Sequence, residues 1–123
     1  MIVYSCTDLI FSTKIRSTAE SLGVSSRPTR DHKALAARLD QIDDGKLNEP
    51  VTGLLVDLDL GDRAIELIAQ AKSSKASPKV VAFGSHVATE LLENAHKNGA
   101  DFVMARSAFT ENLPDILMQL VLQ

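Results

Sequence analysis

The chain has 123 residues, of which 45% are hydrophobic and 24% charged, a balance that favours a single packed domain over residues 1–123. Its net charge of −3 gives no overall basic field for nucleic acid or a membrane surface, and its 4% aromatic content without tryptophan argues against a base-stacking platform. The single cysteine excludes an internal disulfide, and because we find neither a leader segment nor an apolar run of the roughly 20 residues that span a membrane, we expect a cytoplasmic protein.

Strand and helix patterns alternate five times along the chain. Short apolar runs predict strands over residues 2–6, 24–27, 51–58, 79–83 and 101–105. The third is apolar on both faces, which is typical of a central parallel strand. The second is cut short by Pro28, which favours an edge position, and residues 43–50 are predicted to form a polar connector.

Apolar residues at helical spacing predict a helix after each strand. In the first helix these residues are Leu9, Ile10, Ile15, Ala19 and Leu22. Gly23 is expected to end that helix. Side chains able to cap a helix precede the other four, and they are Asp31, Asp62, Ser85 and Asn112.

This alternation, with short connectors, predicts an α/β fold: a doubly wound, five-stranded parallel sheet with helices on both faces. Functional residues in such sheets gather at the carboxyl ends of the strands. Five short windows meet this condition: residues 5–8, 27–30, 57–61, 84–86 and 106–108.

Three segments resemble the receiver domain of response regulators, a flavodoxin-like fold. They are Leu-Leu-Val-Asp-Leu-Asp-Leu at 54–60, Pro-Lys-Val-Val-Ala-Phe-Gly-Ser at 78–85 and Asn-Gly-Ala-Asp-Phe-Val-Met-Ala-Arg-Ser at 98–107. The resemblance covers nearly the whole chain in order and spacing. It implies the strand order 2-1-3-4-5, with helices 1 and 5 on one face and helices 2, 3 and 4 on the other.

The resemblance places Asp57 at the phosphoacceptor position and Asp59 where receivers supply a backbone carbonyl to a magnesium ion. Receivers also carry an acidic pair after the first strand. Here that window is Ser-Cys-Thr-Asp at 5–8, in which only Asp8 is acidic. Magnesium normally takes one or two carboxylates together with phosphate oxygens and water, so Asp57 with Asp8 and Asp59 is a weak set of ligands.

The switch positions implied by the resemblance are also altered. Gly84 replaces the receiver Ser or Thr, with Ser85 one residue later, and Val103 replaces the switch aromatic residue. Arg106 stands where receivers have lysine. A rigid guanidinium fork suits a standing pair with Asp57 better than a transient contact with phosphate. We therefore expect an Asp57–Arg106 ion pair, no magnesium ion and no other cofactor, with Gly84 leaving room for the guanidinium.

Several residues have two interpretations. In the first interpretation, Asp57 and Asp59 form a phosphoryl or metal site. In the second, which we favour, Asp57 is a strand-end carboxylate paired to Arg106, and Asp59 is solvated or caps a turn. Ser85 and His86 either contact an anion or are a helix cap and an exposed neighbour, which we also favour.

Cys6 is expected to be a small buried residue rather than a nucleophile. A basic cluster near the second strand is expected to be a solvated face, the alternative being an anion or partner contact. It consists of Arg27, Arg30, His32 and Lys33.

Three hypotheses about function follow. The first is a non-enzymatic pseudo-receiver that binds a protein partner or a second copy of itself through helix 4, strand 5 and helix 5, where Ala88, Leu92, Ala108 and Phe109 would supply apolar surface. The second is a working receiver phosphorylated on Asp57 by a histidine kinase or a small phosphodonor. The third is a sensor of a small ligand or anion at the strand ends. We predict no enzymatic activity, since no catalytic triad, metal cluster or glycine-rich cofactor loop is present in the sequence.

Overall fold

The computed structural model of the protein describes residues 1–40, 42–43, 46–47 and 49–122. Its main sheet contains five parallel strands: β1 (Ile2–Ser5), β2 (Ser26–Pro28), β5 (Gly53–Asp57), β6 (Lys79–Gly84) and β7 (Phe102–Ala105). The spatial order is β2-β1-β5-β6-β7. These are the five predicted strands in the predicted order, 2-1-3-4-5.

Six helices accompany the sheet in the described residues: α1 (Leu9–Ser21), α2 (His32–Leu39), α3 (Asp62–Ser73), α4 (Thr89–Lys97), α5 (Arg106–Glu111) and α6 (Leu113–Val121). One face of the sheet packs in a cluster with α1, α5 and α6, and the other in a cluster with α2, α3 and α4. The helix layers therefore follow the prediction: the predicted last helix, after Asn112, is α6, and α5 is an additional short helix that the sequence pattern did not predict.

The connector predicted over residues 43–50 contains a short antiparallel pair, β3 (Ile42–Asp43) with β4 (Lys46–Leu47). Asp44, Gly45 and Asn48 of that connector lie outside the described residues. No helix of the part of the chain that the structure describes is both long and apolar enough to cross a membrane.

The first helix ends as its sequence predicts. Gly23 adopts a positive φ of 71°, which costs glycine nothing because it has no Cβ. The Gly23 and Val24 amides then donate to the carbonyls of Glu20 and Ala19, the two reverse hydrogen bonds of a Schellman motif. This turn sends the chain directly into edge strand β2, which tolerates Pro28 because it pairs on one side only.

Two of the predicted caps are wrong, and a third residue, Asn112, holds the predicted N-cap position without a capping hydrogen bond from its side chain. Asp62 lies inside the first turn of α3, after Gly61 at the N-cap position. Ser85 precedes a loop: α4 begins at Thr89, and the Ser85 hydroxyl accepts only a long bond of 3.4 Å from the Val87 amide. Asn112 stands before α6, but its side chain donates back to the Ala108 carbonyl, because α5 runs almost directly into α6.

Asp101 fastens the start of β7 to its neighbours. Its Oδ2 accepts from the Val80 amide at 2.8 Å and from Lys72 Nζ at 3.0 Å. Burial works against ionisation of this carboxyl, but these hydrogen bonds outweigh it and lower its pKa. Asp101 therefore has a structural role at the amino end of β7, the end of the strand opposite to Arg106.

Candidate functional site

The site is centred on Asp57, the last residue of β5, whose side chain is fully buried. Its Oδ1 accepts from Arg106 Nη2 at 2.8 Å and from the Asp59 amide at 2.9 Å. Its Oδ2 accepts from Cys6 Sγ at 3.2 Å and, more weakly, from Arg106 Nη1 at 3.4 Å. Each carboxylate oxygen therefore has two donors, and the expected Asp57–Arg106 contact is present.

Arg106 follows β7 directly and begins α5, so its side chain starts two strands away from Asp57. The guanidinium carbon lies 5.3 Å from the ring centres of both Phe11 and Phe83. Phe83 in turn stacks on Phe109 with ring centres 4.1 Å apart. Cation–π attraction to the rings of Phe11 and Phe83 adds to the stabilisation from the ion pair and helps to orient the planar guanidinium of Arg106.

Asp59 is the second acidic partner of the guanidinium. Its Oδ2 lies 3.0 Å from Arg106 Nη2, and its side chain is 61% exposed. Exposed pairs contribute little to stability, so Asp57 is the partner that matters for the fold. Asp59 is solvated, as one interpretation predicted, and it also shares one guanidinium nitrogen with Asp57, which that interpretation did not include.

The ionised state of the pair is stabilised in the folded protein. Burial works against ionisation of Asp57, but hydrogen bonds from Arg106, the Asp59 amide and Cys6 outweigh it and lower the pKa of the carboxyl. The hydrogen bond to Asp57 raises the pKa of Arg106, against the effect of burial. The site therefore holds a full negative charge matched by a fixed positive one.

Cys6 is half-buried, donates its thiol proton to Asp57 and also contacts the Asp8 carbonyl at 3.7 Å. Burial, followed by hydrogen bonding and charge from Asp57, raises the pKa of this thiol to about 11. It is thus a neutral donor to the carboxylate. The sequence predicted Cys6 to be a small buried apolar residue and so missed this polar role. The signal for it was that both Cys6 and Asp57 stand at strand ends.

Asp8 is occupied elsewhere. It is the N-cap of α1, where its Oδ1 accepts from the Ile10 amide at 2.8 Å and the Phe11 amide at 3.3 Å. In the described residues its carboxylate makes no hydrogen bond to Asp57, Arg106 or Cys6, so the structure does not bring this side chain into the site.

The switch positions also lie apart from the carboxylate. Val103 is partly buried on the face that carries α3 and α4. Ser85 and His86 are exposed, and neither has a hydrogen bond or ion pair with Asp57 in the described part of the chain. A Cβ at Gly84 would lie 3.0 Å from Leu58 Cβ. The idea that Gly84 makes room for the guanidinium is therefore wrong, because Leu58 fills that space.

Phe109 is also misplaced by the sequence prediction. It is fully buried in the cluster with α1 and α6, so it supplies no apolar surface for self-association. Phe102 on edge strand β7 is 49% exposed instead. Ala88, Leu92 and Ala108 are partly exposed.

These donors do not fit a magnesium ion. Asp57 has its oxygens committed to four donors, and the thiol of Cys6 stands where a receiver has an acidic ligand. Magnesium prefers hard oxygen ligands in an octahedral array. Among the described residues, no group of three or more histidine, cysteine or acidic side chains is placed to hold a metal ion.

Comparison with solved structures shows the fold of response-regulator receiver domains. A response regulator from Thermotoga maritima superposes with a TM-score of 0.75 over 99% of this chain and 98% of that one, at 16% identity. The receiver domain of NtrX from Brucella abortus superposes with a TM-score of 0.77 over 98% of each chain, at 14% identity. The phosphorylated cyanobacterial phytochrome response regulator RcpA superposes with a TM-score of 0.70 over 97% of this chain and 89% of that one, at 17% identity. No family model matches the sequence, and no curated protein matches it.

Proposed function

We propose that this protein is a signalling module with the receiver fold that acts by binding a protein partner in the cytoplasm, with no catalytic activity of its own. The observation that carries the proposal is the fully buried Asp57 held by both terminal nitrogens of Arg106. In a receiver the corresponding carboxylate takes a phosphoryl group. Here a standing ion pair takes the place of the metal and the phosphate.

The chemistry of phosphoryl transfer supports this proposal. The attacking oxygen must be free to approach phosphorus in line, and a divalent cation must offset charge on the phosphoryl oxygens. Both oxygens of Asp57 are engaged by protein donors, and the available ligands do not suit magnesium. Transfer to Asp57 would require Arg106 to leave and a new cation to enter.

A permanent ion pair makes the interactions of the domain constitutive. A receiver changes its binding surface when phosphate draws in the lysine and the switch hydroxyl. In this chain Arg106 already contacts Asp57 and Gly84 has no hydroxyl to move. The partner would be a histidine kinase, another signalling protein or a second copy of the chain. For self-association, the face formed by α4, β7 and α5 stays our prediction, with Phe102 as its exposed aromatic residue.

The test is treatment with acetyl phosphate and Mg²⁺, followed by intact mass spectrometry, with a phosphorylatable receiver domain treated in parallel. We expect no phosphoryl adduct on the protein. Phosphorylation that disappears in Asp57→Asn would instead support the second hypothesis, a working receiver. The variant Arg106→Lys is the matched comparison, because it restores the receiver residue while leaving Asp59 and Cys6 in place.

A further inference from the structure

A cleft lies beside Cys6, at the carboxyl ends of β1 and β2. It has a volume of about 640 Å³ and is closed by the first turns of α1, the residues after β2 and the turn that leads into α3. In doubly wound sheets, ligands bind outside the carboxyl ends of the strands where the strand order reverses. The cleft lies beside that place: it is lined by residues at the ends of β1 and β2 and by Leu60 and Arg63, which follow β5 in the chain.

The cleft carries an unbalanced positive charge. Arg16 from α1, Arg30 after β2 and Arg63 from α3 line it, and among the described residues no aspartate or glutamate does. None of the three makes a salt bridge or a side-chain hydrogen bond within the described part of the chain. Three positive side chains from three different elements thus share one cleft in a protein whose net charge is −3.

A buried hydroxyl gives an independent sign of a ligand. Thr29, the residue after β2, is only 3% exposed and lines the cleft. Its Oγ1 is fully buried and has no hydrogen-bond partner among the residues that the structure describes. A buried hydroxyl without a partner costs free energy, so most such groups in folded proteins are satisfied. Rotation of the Thr29 side chain on binding would bring this hydroxyl to a ligand oxygen in the cleft.

We propose that this arginine cleft, formed by Arg16, Arg30, Arg63 and Thr29, binds a small molecule that carries a diphosphate or two phosphate groups. A guanidinium binds phosphate through two parallel N–H donors. The N–H donors of three guanidinium groups outnumber the hydrogen bonds that the two oxygens of one carboxylate can accept. A diphosphate has enough oxygens to accept from all three groups. The volume falls within the range of small-molecule sites.

The proposal is independent of the Asp57–Arg106 pair. None of the four residues of the arginine cleft contacts Asp57 or Arg106 by a hydrogen bond or ion pair in the described chain. Failure of one proposal therefore leaves the other standing. Cys6 is the point of contact between them, because it lines the cleft and donates to Asp57.

The experiment is a titration of the intact protein with pyrophosphate in about 0.15 M NaCl, which screens non-specific attraction. Binding is followed by isothermal titration calorimetry and by ¹H–¹⁵N chemical shifts. We expect saturable binding in the micromolar range, with the largest amide shifts at Thr29, Arg30 and the first turn of α1. Orthophosphate should bind more weakly, citrate should bind less tightly than pyrophosphate, and acetate, a single carboxylate, should not compete.

Matched variants make the result specific. Arg30→Gln and Arg63→Gln should each weaken pyrophosphate binding about tenfold, because each removes a charged donor. Arg27→Gln is the control, since Arg27 is exposed on β2 but does not line the cleft. Thr29→Val should also weaken binding, whereas Thr52→Val, which removes another unpaired buried hydroxyl away from the cleft, should not.

The outcomes that overturn the proposal are equally definite. They are the absence of saturable pyrophosphate binding, an effect of Arg27→Gln as large as that of Arg30→Gln, shifts confined to other parts of the chain, or tighter binding of citrate than of pyrophosphate. Circular dichroism of each variant establishes that it is folded. Because the three arginines are exposed, their substitution is not expected to disturb the core.

Discussion

Arg106 and Asp57 are joined across β6, which separates β5, ended by Asp57, from β7, which Arg106 directly follows. The closest contact, between Nη2 and Oδ1, is 2.8 Å, and the second pair of atoms lies at 3.4 Å. One partner is fully buried, and the other keeps 30% of its side chain exposed. The pair therefore links β5 and β7 through the Asp57 carboxylate, a charge that has no access to water.

A double-mutant cycle measures this coupling. Arg106→Ala should destabilise the native protein more than the same change does in an Asp57→Asn background, with a coupling free energy of about 2 kcal/mol. The reason is that a buried carboxylate left without its cation is costly, whereas an amide is not. Urea denaturation of the four proteins gives the cycle, and Arg27→Ala, a change at an exposed arginine, serves as the control. A coupling near zero would refute the ion pair.

Acid sensitivity is a second consequence of the pair. Because the folded-state pKa of Asp57 is lower than its unfolded value, its ionisation stabilises the protein at pH above the unfolded pKa of about 3.9. This contribution is lost as the pH falls below about 4 and through the lower folded pKa. The free energy of unfolding should therefore fall less steeply over this range in Asp57→Asn than in the natural protein.

The acid response of Asp57→Asn should not vanish altogether. Asp101 also has a lowered pKa and keeps its own contribution in that variant. Equilibrium unfolding at a series of pH values between about 2 and 6 measures both contributions. Identical slopes for Asp57→Asn and the natural protein would contradict the assignment.

The thiol of Cys6 should be slow to react. With a pKa of about 11, it holds about a hundredfold less thiolate at pH 8 than a thiol of pKa 9. Reaction with DTNB at pH 8 should therefore be much slower in the folded protein than in urea. Asp57→Asn should accelerate it in the folded state, because that change removes a negative charge from beside the sulfur. Equal rates in folded and unfolded protein would contradict the buried donor role.

Much of the fold was predictable because its causes are local. Apolar runs of strand length alternate with helical spacing, and β5, with all five residues buried, is the central strand that its apolar run predicts. The Asp57–Arg106 contact followed from placing Arg106 at the receiver lysine position. The first inference needed only the hydrophobic pattern, whereas the second also needed the resemblance to receivers.

The rest of the site depends on the phase of each helix, which the sequence leaves open. The predicted apolar face of α1 included Leu9 and Ile10, yet they are 79% and 83% exposed. Because Asp8 caps the helix by accepting from the Ile10 and Phe11 amides, Phe11 turns inward to lie beneath Arg106. The arginine cleft was missed for the same reason: Arg16, Arg30 and Arg63 are far apart in the sequence and meet only in the folded chain.

Gly84 provides the last prediction, because it stands where a receiver has its switch hydroxyl. A Cβ there would lie 3.0 Å from Leu58 Cβ and 3.4 Å from Leu58 Cδ1, and Leu58 is itself buried. Added atoms in a packed core cost about 1–3 kcal/mol. Gly84→Ser should therefore destabilise the protein by about that amount, whereas Ser85→Ala, a change at the exposed neighbour, should cost less than about 0.5 kcal/mol.

Restoring the hydroxyl should not restore the chemistry. Leu58 must move before a serine at position 84 fits, and Asp57 remains engaged by Arg106 and Cys6. We therefore expect Gly84→Ser to remain unmodified by acetyl phosphate and Mg²⁺, as measured by intact mass. The double variant Gly84→Ser, Arg106→Lys gives the sharper comparison, because it restores both receiver residues. A phosphoryl adduct on Gly84→Ser alone would show that the missing hydroxyl, and not the ion pair, holds Asp57 inactive.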